Sequence, residues 1–242
     1  MTMRRRRFNS LLLTSVFAVP AVAMSGAHAS EALADETPPP VPAAATGSGP
    51  SAEAIADKVQ AFYDSAKTYS AGFQQRYTIY AYNRTKDSSG KVVFSKPGQM
   101  RWTYTNNGNV VVSDGKNLKI YEQENRQMYV QTVEKAQYAA ALSFLWGEGS
   151  LKKSFELSKL DSVQLGFSGG HVLLGTPRSP TPAFQKILFY VDSKTFQVRR
   201  VLLIDAQKNR NRFDFETARV NELVEASLFQ FTPPAGTNVV KP

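Results

Sequence analysis

The folded part of the chain opens with a segment whose apolar residues recur at helical spacing. Ser51 suits an N-cap, because its hydroxyl can accept a hydrogen bond from a backbone N–H of the first turn. The apolar positions that follow have a period close to 3.6 residues: Ile55, Val59, Phe62, Tyr63 and Ala66. This pattern predicts a helix over residues 52–67 with one apolar face.

After this helix the apolar period changes to two, which is typical of half-buried strands. In residues 69–81 the apolar positions share one face: Tyr69, Ala71, Phe73, Tyr77 and Ile79. The alternation resumes at Val92 and Phe94, after Ser88-Ser89-Gly90, and again over Met100, Trp102 and Tyr104. Asp114-Gly115 indicates a hairpin between strands 110–113 and 116–121. A strand over 126–133 carries Met128 and Val130 on one face.

The second half of the chain continues this pattern. Further strands are predicted near residues 162–168, 171–176, 184–192, 196–205, 210–217 and 219–224. The total is about ten or eleven antiparallel strands in one domain. A sheet of this size must cover its apolar face by closing into a barrel, by packing on a second sheet or by curling around helices.

The strand pattern is interrupted at residues 135–146, which are rich in alanine and leucine. Leu142, Leu145 and Trp146 lie on the apolar face of a predicted helix. Ser150 can cap a second short helix that runs through Phe155. These helices are short and apolar, so they can plug a curved sheet.

Residues 1–29 have the three parts of a secretory signal. Arg4–Arg7 form the positive region, Leu11–Met24 form an apolar run of about 14 residues, and Ala27-His28-Ala29 fits a cleavage site before Ser30. An uncleaved anchor is the alternative, but roughly 20 apolar residues are needed to span a bilayer. A twin-arginine signal is a second alternative. The mature protein should therefore be free in an extracytoplasmic space, with the Pro/Ala-rich residues 30–51 as a disordered tether.

Composition removes several classes of function. The chain has no cysteine, so disulfides and thiolate chemistry are excluded. Four of the 29 basic residues belong to the predicted signal, so the remaining chain has 25 basic and 20 acidic residues and a net charge of +5. It has no stripe of basic residues that would indicate nucleic-acid binding. His171 is the one histidine outside the signal, and Asp214 and Glu216 resemble a solvated strand face. We expect neither an enzyme nor a metal site nor a cofactor.

The remaining chemical feature is the quantity of apolar material. The chain contains 15 Phe and 10 Tyr, many on one face of consecutive strands. This face can be an ordinary core or the lining of a ligand cavity, and composition does not separate the two. The adaptable side chains of Met100 and Met128 favour a cavity slightly.

Four motifs resemble those of LolA-type outer-membrane lipoprotein carriers. Residues 94–104, Phe-Ser-Lys-Pro-Gly-Gln-Met-Arg-Trp-Thr-Tyr, are similar to the family's basic-Pro-Gly-x-x-Arg-Trp. Residues 112–121, Val-Ser-Asp-Gly-Lys-Asn-Leu-Lys-Ile-Tyr, match its Ser-Asp-Gly segment. Phe-Gln-Gln at 73–75 and Phe-Gln-Phe-Thr-Pro-Pro-Ala-Gly-Thr at 229–237 resemble its first-strand and closing motifs. The order and spacing hold over roughly 52–240, so residues 52–242 are expected to form one LolA-like domain.

The resemblance implies an unclosed antiparallel β-barrel of about eleven strands with a helical lid over an apolar cavity. The resemblance also implies a function in the periplasm. A monomeric carrier collects acylated lipoproteins from an inner-membrane LolCDE-type ABC transporter and delivers them to the outer membrane, in some bacteria to a LolB-type receptor. We assign acyl-chain contacts to Phe73, Tyr77, Phe94, Met100, Trp102, Tyr104, Leu118, Ile120, Met128 and Val130. We assign the lid to residues 136–146 and 150–155, with Leu142, Leu145, Trp146 and Phe155 as its apolar contacts.

One motif position departs from the family. Lys96 stands where the family usually has an arginine that hydrogen-bonds the lid and holds the empty cavity closed, and lysine lacks the planar set of donors of a guanidinium.

Three other functions stay open. The first is a lipid-sensing signalling module like the N-terminal domain of RseB-type regulators; those regulators carry a second domain, which we do not expect here. The second is a carrier of another lipid, such as a glycolipid or pigment ester. The third is an enzyme that acts on an apolar substrate.

Overall fold

The computed structural model describes residues 49–133 and 149–241. The predicted signal at 1–29, nearly all of the tether at 30–51 and the helix at 135–146 lie outside the described residues, and they stay predictions.

The first helix, α1 (Ala52–Ser65), forms where the apolar spacing predicts it. The Ser51 hydroxyl accepts a hydrogen bond from the Ala54 N–H at 3.2 Å, which confirms the N-cap. Ala66 is extended, so the helix ends two residues before its predicted end. The face that carries Ile55, Val59 and Tyr63 is buried.

Twelve strands of the described residues form one sheet. They are β1 (Thr68–Ile79), β2 (Arg84–Ser95), β3 (Gln99–Tyr104), β4 (Val110–Asp114), β5 (Asn117–Glu122), β6 (Gln127–Thr132), β7 (Phe155–Leu160), β8 (Gly170–Pro177), β9 (Lys186–Asp192), β10 (Val198–Ile204), β11 (Arg210–Val220) and β12 (Asn238–Val240). The order across the sheet is β12-β6-β5-β4-β3-β2-β1-β11-β10-β9-β8-β7. All pairs are antiparallel except β12 with β6. The edges β12 and β7 do not pair with each other, so the predicted unclosed antiparallel architecture is confirmed.

The sheet is strongly curved around its apolar face. Trp102 on β3 and Phe213 on β11 are three strand spacings apart in the sheet order, about 14 Å in a flat sheet. Their ring centroids are nevertheless 5.3 Å apart, and the Phe215 ring lies 6.1 Å from Trp102. Side chains of distant strands can meet in this way only on a concave face.

The convex face carries two smaller apolar clusters. One is covered by the chain after β11, which includes a 3₁₀ turn at Ala226–Phe229. Arg101 fixes this chain by donating from Nη1 to the Leu228 carbonyl at 2.9 Å, and Lys119 donates from Nζ to the Phe231 carbonyl at 2.9 Å. The other cluster, with Val172 and Leu188, lies on β7–β10.

Four predicted elements differ from the structure. Residues 162–168 form turns, because the Asp161 carboxylate accepts from the Val163 N–H at 2.9 Å and Gly166 has φ +64°. The strand of this region is β7, and the short helix before it, α2 (Leu151–Ser154), ends one residue before Phe155. One strand, β11, stands in place of the predicted strands 210–217 and 219–224. It continues through an irregularity where Thr217 has φ +49° and ends at Val220, so residues 221–224 are not part of a strand.

Candidate functional site

The concave face gathers most of the residues that the sequence assigns to the cavity. Seven of the ten belong to one buried cluster and are at most 5% exposed: Phe73, Phe94, Met100, Trp102, Tyr104, Leu118 and Ile120. They alternate with outward residues on β1, β2, β3 and β5, and antiparallel register brings them side by side. The predicted face is therefore a single apolar surface.

Aromatic rings form the centre of this surface. The Phe73 ring meets Trp102 at 5.0 Å and Tyr104 at 5.1 Å, both edge to face. Phe213 closes the group at 5.3 Å from Trp102. Gly90, directly opposite Phe73 on β2, carries no side chain and leaves room for the Phe73 ring. This centre contains no charged group, so it suits an apolar ligand.

Helix α1 covers the concave face. Its residues Ile55, Val59 and Tyr63 belong to the same buried cluster as Trp102 and Phe213. The covered surface is therefore not open to solvent in this conformation. A ligand of any length must move the helix, or other side chains of the cluster, to reach the aromatic centre.

Helix α1 is attached by a few polar contacts near its C-terminal half. The Lys96 Nζ donates to the Tyr63 carbonyl at 2.6 Å and to the Asp64 carbonyl at 3.1 Å, so a cation lies where the helix dipole is negative. The Val198 N–H donates to the Tyr63 hydroxyl at 3.2 Å. The Leu151 N–H donates to Gln60 Oε1 at 3.2 Å.

Within the described residues, Lys96 contacts helix α1. The sequence predicts that Lys96 holds a lid at residues 136–146 and 150–155, and the described contacts of Lys96 join it to α1. Leu142, Leu145 and Trp146 lie outside the described residues. Phe155 is the first residue of β7, and its ring packs 5.6 Å from Phe189 in the concave cluster, so its assignment to a lid helix is wrong.

Three predicted cavity residues do not join the others. Tyr77 is half-buried near the end of β1, outside the concave cluster. Met128 and Val130 pack on the convex face with Phe229, so their assignment to the cavity is wrong. The register explains the error, because Ile120 pairs with Tyr129 and Leu118 pairs with Gln131. The residue of β6 that packs on the concave cluster is Tyr129.

Sequence reasoning missed α1 as the cover of the site. It predicted the helix but assigned the lid to residues 136–146 and 150–155, of which 136–146 lie outside the described residues. It also did not assign Phe213 and Phe215 of β11 to the site, although their alternation with Asp214 was visible. The missing information is long-range: β11 pairs with β1 across a separation of about 140 residues.

The residues considered for catalysis are dispersed. Asp214 forms ion pairs with Arg200 and with Arg212, on the convex face of the sheet. His171 stacks on Phe196, with ring centroids 6.3 Å apart, and burial lowers its pKa, helped by Lys159 and Lys58. Within 49–133 and 149–241, no three His, Cys, Asp or Glu residues stand together as a metal site.

The same two ranges contain no helix with the length and hydropathy that a membrane crossing requires.

A family model and the curated relatives identify one family. The family model "Outer membrane lipoprotein carrier protein LolA" matches residues 64–232. An outer-membrane lipoprotein carrier protein of Methylibium petroleiphilum is 33% identical over 76% of this chain and 88% of its own length. That of Nitrosomonas europaea is 28% identical over 76% and 87%. A crystal structure of a LolA superfamily protein from Nitrosomonas europaea gives a TM-score of 0.44 at 11% identity, covering 76% of this chain and 99% of that one. The chain belongs to the LolA family of outer-membrane lipoprotein carrier proteins.

Proposed function

We propose that this protein carries lipoproteins through the periplasm, from the inner to the outer membrane, with their acyl chains against the concave face of the sheet. The observation that carries the proposal is this face: ten strands and α1 contribute to one apolar cluster with an aromatic centre. Membership of the LolA family and the carrier names of the relatives give the ligand class.

The energetics require both a shelter and a release mechanism. Burying a methylene group is worth about 0.8 kcal/mol, so a sixteen-carbon chain gains roughly 12 kcal/mol on leaving water. A cavity that buried the chains completely would never release them. Displacing helix α1 would cost free energy and so weaken binding, because Ile55 and Val59 cover the same surface that the acyl chains need. Loading would break the contacts of Lys96 and Tyr63, and release would restore them.

Export and partners follow from the family and the N-terminal sequence. Residues 1–29 would direct export and be removed after Ala29, leaving residues 30–51 as a tether. The monomeric carrier would receive acylated lipoproteins from a LolCDE-type transporter and pass them to the outer membrane, directly or through a LolB-type receptor.

Site-specific photocrosslinking tests where the acyl chains bind. A benzoylphenylalanine in place of Trp102 reports on the concave face, and the same residue in place of Tyr121 reports on the convex face at similar burial. We expect lipoproteins labelled in their acyl chains to crosslink at position 102 and not at 121. Capture at 121 with none at 102 would contradict the assignment of the face.

Depletion in the cell tests the cargo. We expect lipoproteins to accumulate in the inner membrane when the protein is removed, and complementation to restore their location. Normal lipoprotein sorting, together with accumulation of a glycolipid or pigment ester, would instead identify a carrier for another lipid.

A further inference from the structure

Among the described residues, the Tyr104 hydroxyl, which lies inside the apolar cluster, has no hydrogen-bond partner. Its side chain is 4% exposed, and no atom of residues 49–133 or 149–241 is in hydrogen-bonding contact with its hydroxyl oxygen. The other tyrosines of the concave cluster with comparable burial differ in this respect. The Tyr63 hydroxyl accepts from the Val198 N–H, and the Tyr69 hydroxyl accepts from Gln197 Nε2 at 3.2 Å.

The ring of Tyr104 has a clear structural role, but its hydroxyl contacts no hydrogen-bonding group of residues 49–133 or 149–241 in the closed protein. The ring packs edge to face with Phe73 at 5.1 Å. A phenylalanine would make the same contact without burying an unpaired polar group, which is unfavourable. Burial alone raises the pKa of Tyr104 far above its ordinary value, so the group is a neutral donor at physiological pH.

We propose that the Tyr104 hydroxyl donates a hydrogen bond to the carbonyl oxygen of an acyl ester or amide of the bound lipid. This inference rests on the proposed function, because it names the polar contact inside the acyl-chain site. A hydrocarbon tail offers no acceptor, whereas the ester and amide carbonyls at its head do. One donor in an otherwise apolar surface would therefore fix how far the chain that it binds enters, and it would favour acylated lipids over plain hydrocarbon of the same length.

Matched lipid probes test the proposal. One probe is a synthetic peptide that carries an S-dipalmitoylglyceryl cysteine, and the other is its S-dihexadecylglyceryl ether analogue, which lacks the two ester carbonyls. We expect the unmodified protein to bind the diester roughly fivefold more tightly than the diether, the ratio that one neutral hydrogen bond supports. Tyr104→Phe should bind both probes equally. Tyr121→Phe, on the convex face and outside the concave cluster, should keep the preference for the diester.

Two further measurements make the result decisive. The stretching band of ¹³C-labelled ester carbonyls should lie at lower frequency when bound to the unmodified protein than when bound to Tyr104→Phe. The ligand-free Tyr104→Phe variant should also unfold at a urea concentration no lower than the unmodified protein. An unchanged diester preference in Tyr104→Phe, an unchanged band or a lower urea midpoint would each overturn the proposal. Failure of the unmodified protein to bind either probe would instead refute the proposed function, and with it this inference.

Discussion

The Phe73 ring lies across the β1–β2 pair from Gly90 and occupies the space that a side chain at residue 90 would need. A β-carbon built at Gly90 stands 2.8 Å from two atoms of the ring and 2.1 Å from the Thr103 carbonyl oxygen. Contacts this short force the ring or the strand to move. We therefore expect Gly90→Ala to lower the free energy of unfolding by about 2 kcal/mol, measured by urea denaturation.

The neighbouring glycine of the same strand pair is the control. A β-carbon at Gly72 meets nothing closer than the Glu216 carbonyl oxygen at 3.8 Å, which is an ordinary contact. Gly72→Ala should leave stability nearly unchanged. Equal losses in the two variants would show that the loss at residue 90 does not come from the Phe73 ring.

The contact of Lys96 with α1 predicts how easily the concave face opens. Lys96→Met keeps most of the apolar stem but removes the cation that binds the Tyr63 and Asp64 carbonyls. We expect about 1.5 kcal/mol less stability for the closed position of α1, since hydrogen bonds from charged donors are worth about 1.5–3 kcal/mol. Amide hydrogen exchange should accelerate in residues 52–65 more than in the central strands.

Lys91 provides the matched substitution. It lies on the same strand, β2, and its exposed side chain has no hydrogen bond or ion pair with any residue of 49–133 or 149–241. Lys91→Met should leave exchange in α1 unchanged. If Lys96→Met also leaves it unchanged, Lys96 does not hold the helix.

The face of a strand that points into the concave cluster could be predicted where only one face of the strand is apolar. On β3, Met100, Trp102 and Tyr104 alternate with Arg101 and Thr103, and the prediction is confirmed. The same reasoning fails on strand β6, because both faces of this strand are covered by other parts of the protein. Met128 packs under the chain after β11 and Tyr129 packs on the concave cluster, so local polarity does not define the inside.

Local turn chemistry and long-range strand pairing account for the other differences between the predicted and the observed elements. Val163, Leu165 and Phe167 alternate like a strand, but the Asp161 carboxylate and Gly166 turn the chain there. The spacing of its own apolar residues predicts helix α1, whereas its place in the same buried cluster as Trp102 depends on the curvature of the whole sheet. Spacing within one segment contains no information on that curvature.

The chain after β11 should be a structural part of the sheet. Phe229 is 3% exposed and packs among residues of β2, β4, β5 and β6, so Phe229→Ala should cost about 3 kcal/mol of stability. Leu223, in the same segment but 93% exposed, is the control, and Leu223→Ala should change stability little. Urea denaturation distinguishes the two, and a harmless Phe229→Ala would mean that this segment is not part of the folded core.

The turn between β9 and β10 predicts a loss of stability in acid. The Asp192 carboxylate accepts from the Thr195 and Lys194 N–H groups, both at 2.9 Å, and these bonds, the one from Thr195 foremost, lower its pKa in the folded protein. A carboxyl group with a depressed folded pKa stabilises the fold above its unfolded value, near 3.9, and this contribution disappears as the pH falls through the folded pKa.

Asp192→Asn keeps an acceptor oxygen in this turn but cannot titrate. The variant should be less stable than the unmodified protein at pH 7, because the amide oxygen is a weaker acceptor than a carboxylate. Below about pH 4 the difference should shrink, since the unmodified protein then loses the ionised form. Urea unfolding at pH 7, 5, 4 and 3 measures this convergence. Parallel curves over the whole range would mean that the Asp192 carboxylate does not contribute to the acid sensitivity of the fold.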